Sequence, residues 1–94
     1  MKKIRFIDYF LDRLRFREIP EAVVERVLRE ATQRYTDAET GRYIAVKEVK
    51  YGRRRRRLMV AYEEQGNEII PVTVHPVTKR QVQSRIKRQR WIPK

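Results

Sequence analysis

Arg53-Arg54-Arg55-Arg56-Arg57-Leu58-Met59-Val60-Ala61-Tyr62 is the stretch whose reading decides the fold. Its second half alternates. Leu58, Val60 and Tyr62 share one face and Met59 and Ala61 the other, the period of two that marks a β-strand. The same parity carries back into the arginines, with Arg54 and Arg56 on the side of Leu58 and Arg53, Arg55 and Arg57 opposite. If the sheet buries one face, such a run belongs at the exposed entrance of the strand or in the hairpin loop before it.

The neighbours of this strand are strands too. Upstream, Tyr43–Tyr51 is rich in β-branched and aromatic residues and is closed by Gly52. Downstream, Gln65-Gly66-Asn67 forms a turn. Residues 69–75 then make a last strand, with Ile70, Val72 and Val74 on one face and Thr73 and His75 on the other. Pro71 has no N–H to give to a ladder, so that strand is at an edge there or pairs only from Val72. Beyond it, Thr78 and Gln81 fit a capping box that opens a helix expected over 79–90. Val82 and Ile86 give this helix a narrow apolar stripe, and Trp91 lies near its end.

The first 34 residues read as helical. Ile7, Phe10, Leu11 and Leu14 fall at i, i+3, i+4 and i+7 of a helix over 7–16, with Asp8 and Asp12 in the early turns that favour carboxylates. Pro20 opens a second helix over 20–33, in which Val24, Val27, Leu28 and Ala31 repeat the apolar spacing. Glu25–Arg29 and Glu30–Arg34 are expected as i,i+4 pairs. Phe6, Phe10 and Phe16 read as core. The whole is a single α+β domain over 1–94: two N-terminal helices, a three- to four-stranded, mostly antiparallel twisted sheet, and a basic C-terminal helix. The helices are expected on one face of the sheet.

At 94 residues the chain is too short for a Rossmann or TIM-barrel cofactor domain. With no Cys and one His it has no thiolate chemistry, no disulfide and no multi-His zinc site. Four glutamates are the only carboxylates of residues 41–94, too few to favour a two-metal nuclease. The expectation is therefore a domain without metal or cofactor. No apolar run spans a bilayer, Arg5 and Asp8 interrupt any signal-peptide core, and the stripe of Val82 and Ile86 is too narrow for a membrane surface. The expected location is cytoplasmic.

Charge identifies the partner. The net charge is +12, yet residues 1–40 contribute nine basic and eight acidic side chains, and residues 41–94 fifteen basic and four acidic. After Glu68 no acidic residue follows. An arginine-rich surface adapted to heat would intersperse its signs, as the first 40 residues do. The second half instead reads as a polyanion-binding surface, with nucleic acid as the partner and RNA ahead of DNA. Arg53, Arg54, Arg55, Arg56 and Arg57 suit a phosphate clamp, since a guanidinium fork pairs bidentately with phosphate oxygens. Arg85, Lys87 and Arg88 would track further phosphates along the last helix. Trp91 either stacks on a base or anchors the helix end, and the anchor is the favoured reading.

His75 is the side chain suited to proton transfer near neutral pH. Thr73 shares its face, and Lys79 and Arg80 follow at a helix N-terminus. Metal-free RNA cleavage needs a group to deprotonate the 2′-OH, a group to protonate the leaving oxygen and cations to stabilise the phosphorane. The expected site is His75 as the acid, Lys79 and Arg80 as the cations, and Arg57 and Tyr62 in support. Tyr62 also reads as an ordinary half-buried strand tyrosine.

Four segments, taken together, resemble a known group: Arg13-Leu14-Arg15-Phe16-Arg17-Glu18-Ile19-Pro20, Thr40-Gly41-Arg42-Tyr43, Leu58-Met59-Val60-Ala61-Tyr62, and Val72-Thr73-Val74-His75-Pro76-Val77-Thr78-Lys79-Arg80. Their succession is similar to that of the small BrnT-like domains and the RelE/ParE superfamily of type II toxins. In BrnT-like toxins the last strand ends in a Ser-Ala-Arg-like stretch, and His75 stands here where that group often has Arg. The resemblance implies an α-α-β-β-β-α order and a metal-free endoribonuclease acting on free or ribosome-bound RNA. It also implies a cognate antitoxin. Two alternatives use the same positive face: a non-catalytic RNA- or DNA-binding module, and a toxin-like fold acting on a protein such as a topoisomerase.

Overall fold

A computed structural model describes residues 2–94. The elements run β1 (Lys3–Ile4), α1 (Asp8–Arg17), α2 (Glu21–Glu30), β2 (Gln33–Asp37), β3 (Tyr43–Tyr51), β4 (Arg54–Gln65), β5 (Glu68–Pro76), α3 (Lys79–Lys87) and β6 (Trp91–Pro93). The class is α+β, but the expected three- to four-stranded sheet is corrected to a six-stranded mixed one in the order β1-β5-β4-β3-β2-β6. Its central pairings are antiparallel, whereas β1 runs parallel to β5. The additional strands are the short ones. β1 has two residues and β6 three, lengths at which no alternation can register in a sequence.

The expectation of helices on one face is also corrected. Phe10 and Leu14 of α1 and Val24, Val27 and Leu28 of α2 pack with Ala45, Val49, Leu58, Val60, Tyr62 and Val74 on one side of the sheet. On the other side, Val82 of α3 and Trp91 of β6 pack with Tyr35, Ile44, Val46, Met59, Ala61 and Val77. The two apolar parities of β4 thus serve two separate cores, and a fully buried aliphatic side chain in either is worth about 2 kcal/mol. α3 covers the second face alone, so it is the element that carries charge over it.

Helix ends explain the remaining boundary differences. α1 and α3 both terminate in a residue with left-handed backbone that is not glycine, Glu18 at φ 56° and Gln89 at φ 60°. The N–H groups of Glu18 and Ile19 bond to the carbonyls of Arg15 and Leu14, and those of Gln89 and Arg90 to Ile86 and Arg85. This doubled pattern is a Schellman motif. It stops α3 at Lys87 rather than at 90 and turns the chain so that β6 can pair with β2. α2 ends at Glu30 rather than at 33, and the expected Glu30–Arg34 pair does not form. Instead the Arg34 guanidinium donates to the carbonyls of Leu28 (2.6 Å) and Ala31 (3.1 Å), capping the helix from β2. Glu25 and Arg29 do meet, at 3.3 Å.

β5 carries an irregularity that strict alternation misses. Ala61 pairs with Thr73 and Tyr62 with Pro71, leaving Val72 as the extra residue of a β-bulge. Val74 faces α1 and α2 with Val60, but on the far side of the bulge it is Pro71 and Ile69, not Ile70, that share this face. β1 covers the outer side of β5 only at Glu68 and Ile69, so Pro71 lies where no N–H is required.

Candidate nucleic-acid interface

The arginine run begins in a two-residue hairpin turn. Gly52 (φ 58°) and Arg53 (φ 65°) both take the left-handed backbone of a type I′ turn, which matches the twist of β3 and β4. From there the side chains divide as parity predicts. Arg55 and Arg57 straddle Glu48 on β3, at 3.0 and 3.5 Å. On the other face Arg56 stacks over Tyr51, its guanidinium 4.7 Å from the ring centre. Arg53 and Arg54 form no salt bridge among the described residues. One carboxylate therefore answers five guanidinium groups.

The beginning of β4 meets the beginning of α3. A groove of about 380 Å³ is lined by Arg54, Arg55, Arg56, Arg57, Pro76, Val77, Thr78 and Gln81. Its floor is held by the Val77 N–H bonded to the Arg57 carbonyl at 3.0 Å. The capping box is formed: Thr78 Oγ1 accepts from the Gln81 N–H (3.0 Å), and Gln81 Oε1 accepts from the Thr78 N–H (2.9 Å). Lys79 and Arg80 stand exposed in the first turn beside this groove. The sequence reading placed them with His75; the structure puts this helix start beside residues 54–57.

His75 opens into a different cavity on the same face of the sheet. It pairs with Met59 on β4, and the cavity of about 150 Å³ includes Asp37, Thr40, Arg42, Thr73, His75, Arg85, Arg90 and Trp91 in its lining. Arg85 lies on α3 one turn beyond Gln81, about 6 Å along the helix axis, so groove and cavity follow each other along α3. Arg42 is neutralised by Glu63 (3.1 Å), and Arg90 by Glu39 (2.8 Å) and Asp37 (3.5 Å). Arg85 has no carboxylate partner among the described residues and stacks over Trp91 at 4.8 Å. Trp91 is itself buried against Tyr35, with ring centres 5.5 Å apart, so it anchors the helix end.

Burial lowers the His75 pKa below its ordinary value, and the charges of Arg17 and Arg85 lower it further. The cations acting on the imidazole are thus from α1 and the middle of α3, not Lys79 and Arg80. Asp37 behaves as a structural acid. Burial pushes its pKa up, but the N–H groups of Thr40 and Glu39 and the Arg90 guanidinium outweigh that and hold the carboxyl below the usual range. Its Oδ1 accepts from the Glu39 N–H at 2.9 Å and the Thr40 N–H at 3.2 Å, shaping the turn from β2 to β3.

Tyr62 does not join His75. It is 2% exposed on the α1/α2 face, with its hydroxyl accepting from Arg34 at 3.1 Å, and the sheet separates the two side chains. Lys87 and Arg88 are exposed at the end of α3 without salt-bridge partners among the described residues. Local sequence marks neither Asp37, Arg42 nor Arg90, which come from two turns. The pairing of β2 with β6 brings them together. No helix among the described residues is long and apolar enough to cross a membrane, and no cluster of three or more His, Asp or Glu among them is placed to hold a metal. No protein family matches the chain, and neither a curated protein nor a solved structure is significantly similar to it.

Proposed function

We propose that this protein binds RNA across the face made by α3 and the start of β4. The observation that carries this reading is the row of cations on α3: Lys79, Arg80, Arg85, Lys87 and Arg88 have no carboxylate partner among the described residues. Unpaired cations repel one another and release counterions when phosphates replace water and salt around them. The groove beside residues 54–57 accepts one phosphate at a helix start, and the His75 cavity lies about one turn further on. Purified protein titrated with labelled single-stranded RNA at increasing salt tests this. Log K should fall steeply and linearly with log salt, and affinity that is flat with salt would overturn it.

A second reading, metal-free cleavage of that RNA, is favoured by the state of His75. A lowered pKa keeps the imidazole neutral near pH 7, which suits a base that takes the 2′-OH proton better than the acid expected from sequence. The 2′-oxygen then attacks the adjacent phosphorus, a 2′,3′-cyclic phosphate forms, and the 5′-oxygen leaves with a proton from water. Arg85 stabilises the phosphorane. In this reading the protein is the toxin of a toxin–antitoxin pair, its substrate is free or ribosome-bound RNA, and a cognate antitoxin would cover this face. His75→Ala should slow cleavage about a hundredfold while leaving affinity nearly unchanged. Equal cleavage by a folded His75→Ala variant would overturn it.

A further inference from the structure

α1 has a second face that the fold does not use. Phe10 and Leu14 are buried against the sheet, whereas Tyr9, Arg13 and Phe16 follow one another outward at i, i+4 and i+7. Phe16, read from sequence as core, is 86% exposed, and Tyr9 is 66% exposed. Ile92 is the one other large apolar side chain that stands out among the described residues. The Arg13 guanidinium lies over the Tyr9 ring at 6.0 Å. Arg13 and Arg17 have no carboxylate partner among the described residues, and Arg15 reaches only the exposed Asp12, at 3.4 Å. Two water-exposed rings therefore stand about 10 Å apart along the helix, with Arg13 and the Arg15-paired Asp12 between them and Arg17 at the helix end.

The position of this stripe matters as much as its composition. α1 ends at Arg17, whose charge is felt at His75. The edge of β5 beyond Ile69 is not covered by β1, so no strand stands between the end of α1 and the His75 face. Two isolated rings separated by Arg13 and Asp12 offer a protein partner no continuous apolar patch. They fit flat bases, each of which covers one ring while its phosphate meets a neighbouring cation.

We propose that Phe16, with Tyr9 two turns before it, is a stacking platform for unpaired bases of an RNA strand that passes around the β5 edge from the α3 face. The platform rests on the RNA-binding reading and deepens it, because it selects single strands over duplexes. Stacking is open to any base, so the selection is for unpaired structure rather than for sequence.

Fluorescence anisotropy with a labelled single-stranded RNA decamer and with the same strand in a duplex tests the platform. Phe16→Ala should weaken the single strand roughly tenfold, the usual worth of one stacked base, and leave the duplex unchanged. Phe16→Trp should restore single-strand affinity. The exposure of Phe16 means that neither substitution disturbs the core. Unchanged single-strand affinity in Phe16→Ala, or an equal loss for duplex and single strand, overturns the platform while RNA binding stands. Failure of the unaltered protein to bind either RNA overturns both.

Discussion

The two helical faces of the sheet contain similar numbers of charged groups per turn and use them in opposite ways. On α1 and α2, Arg15 pairs with Asp12, Arg26 with Glu30 and Arg29 with Glu25, so that of their five arginines only Arg13 and Arg17, on α1, lack a carboxylate partner among the described residues. On α3 no cation has an acidic partner among the described residues. Exposed pairs such as those of α2 contribute only about 0–1 kcal/mol each, so their absence from α3 costs the fold little. Neutralised charge is a property of a surface turned to water. Charge left open at small cost to the fold is what the proposed RNA-binding face is made of.

The comparison can be broken at the level of packing first. Trp91→Ala should cost about 3–5 kcal/mol of stability by denaturant unfolding, as should Phe10→Ala on the opposite face. A much smaller loss for Trp91→Ala would mean that α3 is only loosely docked and that its cations have no fixed array. A sharper test uses salt. Changing Lys79, Arg80, Arg85, Lys87 and Arg88 to Gln should flatten the salt dependence of RNA binding by about 0.7 in slope for each phosphate contact removed. Changing the paired Arg26 and Arg29 to Gln should leave the slope as it was. Equal effects from the two sets would erase the distinction between the faces.

The acid–base behaviour of His75 gives a smaller but more local test. Its NMR titration midpoint should lie below about 6.5, and Arg85→Gln should raise it by removing one of the two cations. The sign for stability follows from proton counting. With the folded-state pKa depressed, the unfolded chain binds more protons between the two values, so stability falls as pH drops through about 6.5 and levels off below the folded pKa. The smallest expected effect belongs to the hairpin turn. Arg53→Asn should raise stability by about 0.5–1 kcal/mol, because Asn tolerates a left-handed backbone better than Arg does. No change in unfolding midpoint would show that the turn holds no strain at Arg53.

What could be read from the residues depended on how local its cause was. The alternation of 58–62, the capping box at Thr78 and the apolar spacing of the first two helices are written over five to ten residues, and each appears where it was read. Six strands were not legible, because β1 and β6 are held by pairing with distant partners and have no period of their own. The helix ends were hidden for a related reason. Glu18 and Gln89 occupy positions where glycine is the usual signal, so nothing announced the turn after α3 or the strand that follows it. For the site, His75, Thr73 and Arg85 were within reach of parity and helical spacing. Arg42, Arg90 and Asp37 were not, since two separate turns deliver them. Phe16 was misassigned because an apolar residue within a helix reads as core unless the helix phase is followed to its last turn, where Phe16 points outward.

The extra residue at Val72 makes β5 two half-strands out of phase. Ile69 and Pro71 keep the packing frame of the α1/α2 core, while Thr73 and His75 keep the frame of the cavity. A single regular strand would tie these frames together, and any one-residue slip would carry His75 through the sheet to the wrong side. The bulge works as a phase joint that uncouples them. Removing Val72 would merge the two frames, so the chain would have to give up either the seating of Ile69 or the address of His75. A change at a residue that touches neither core nor cavity would then decide between a stable domain and a correctly aimed one.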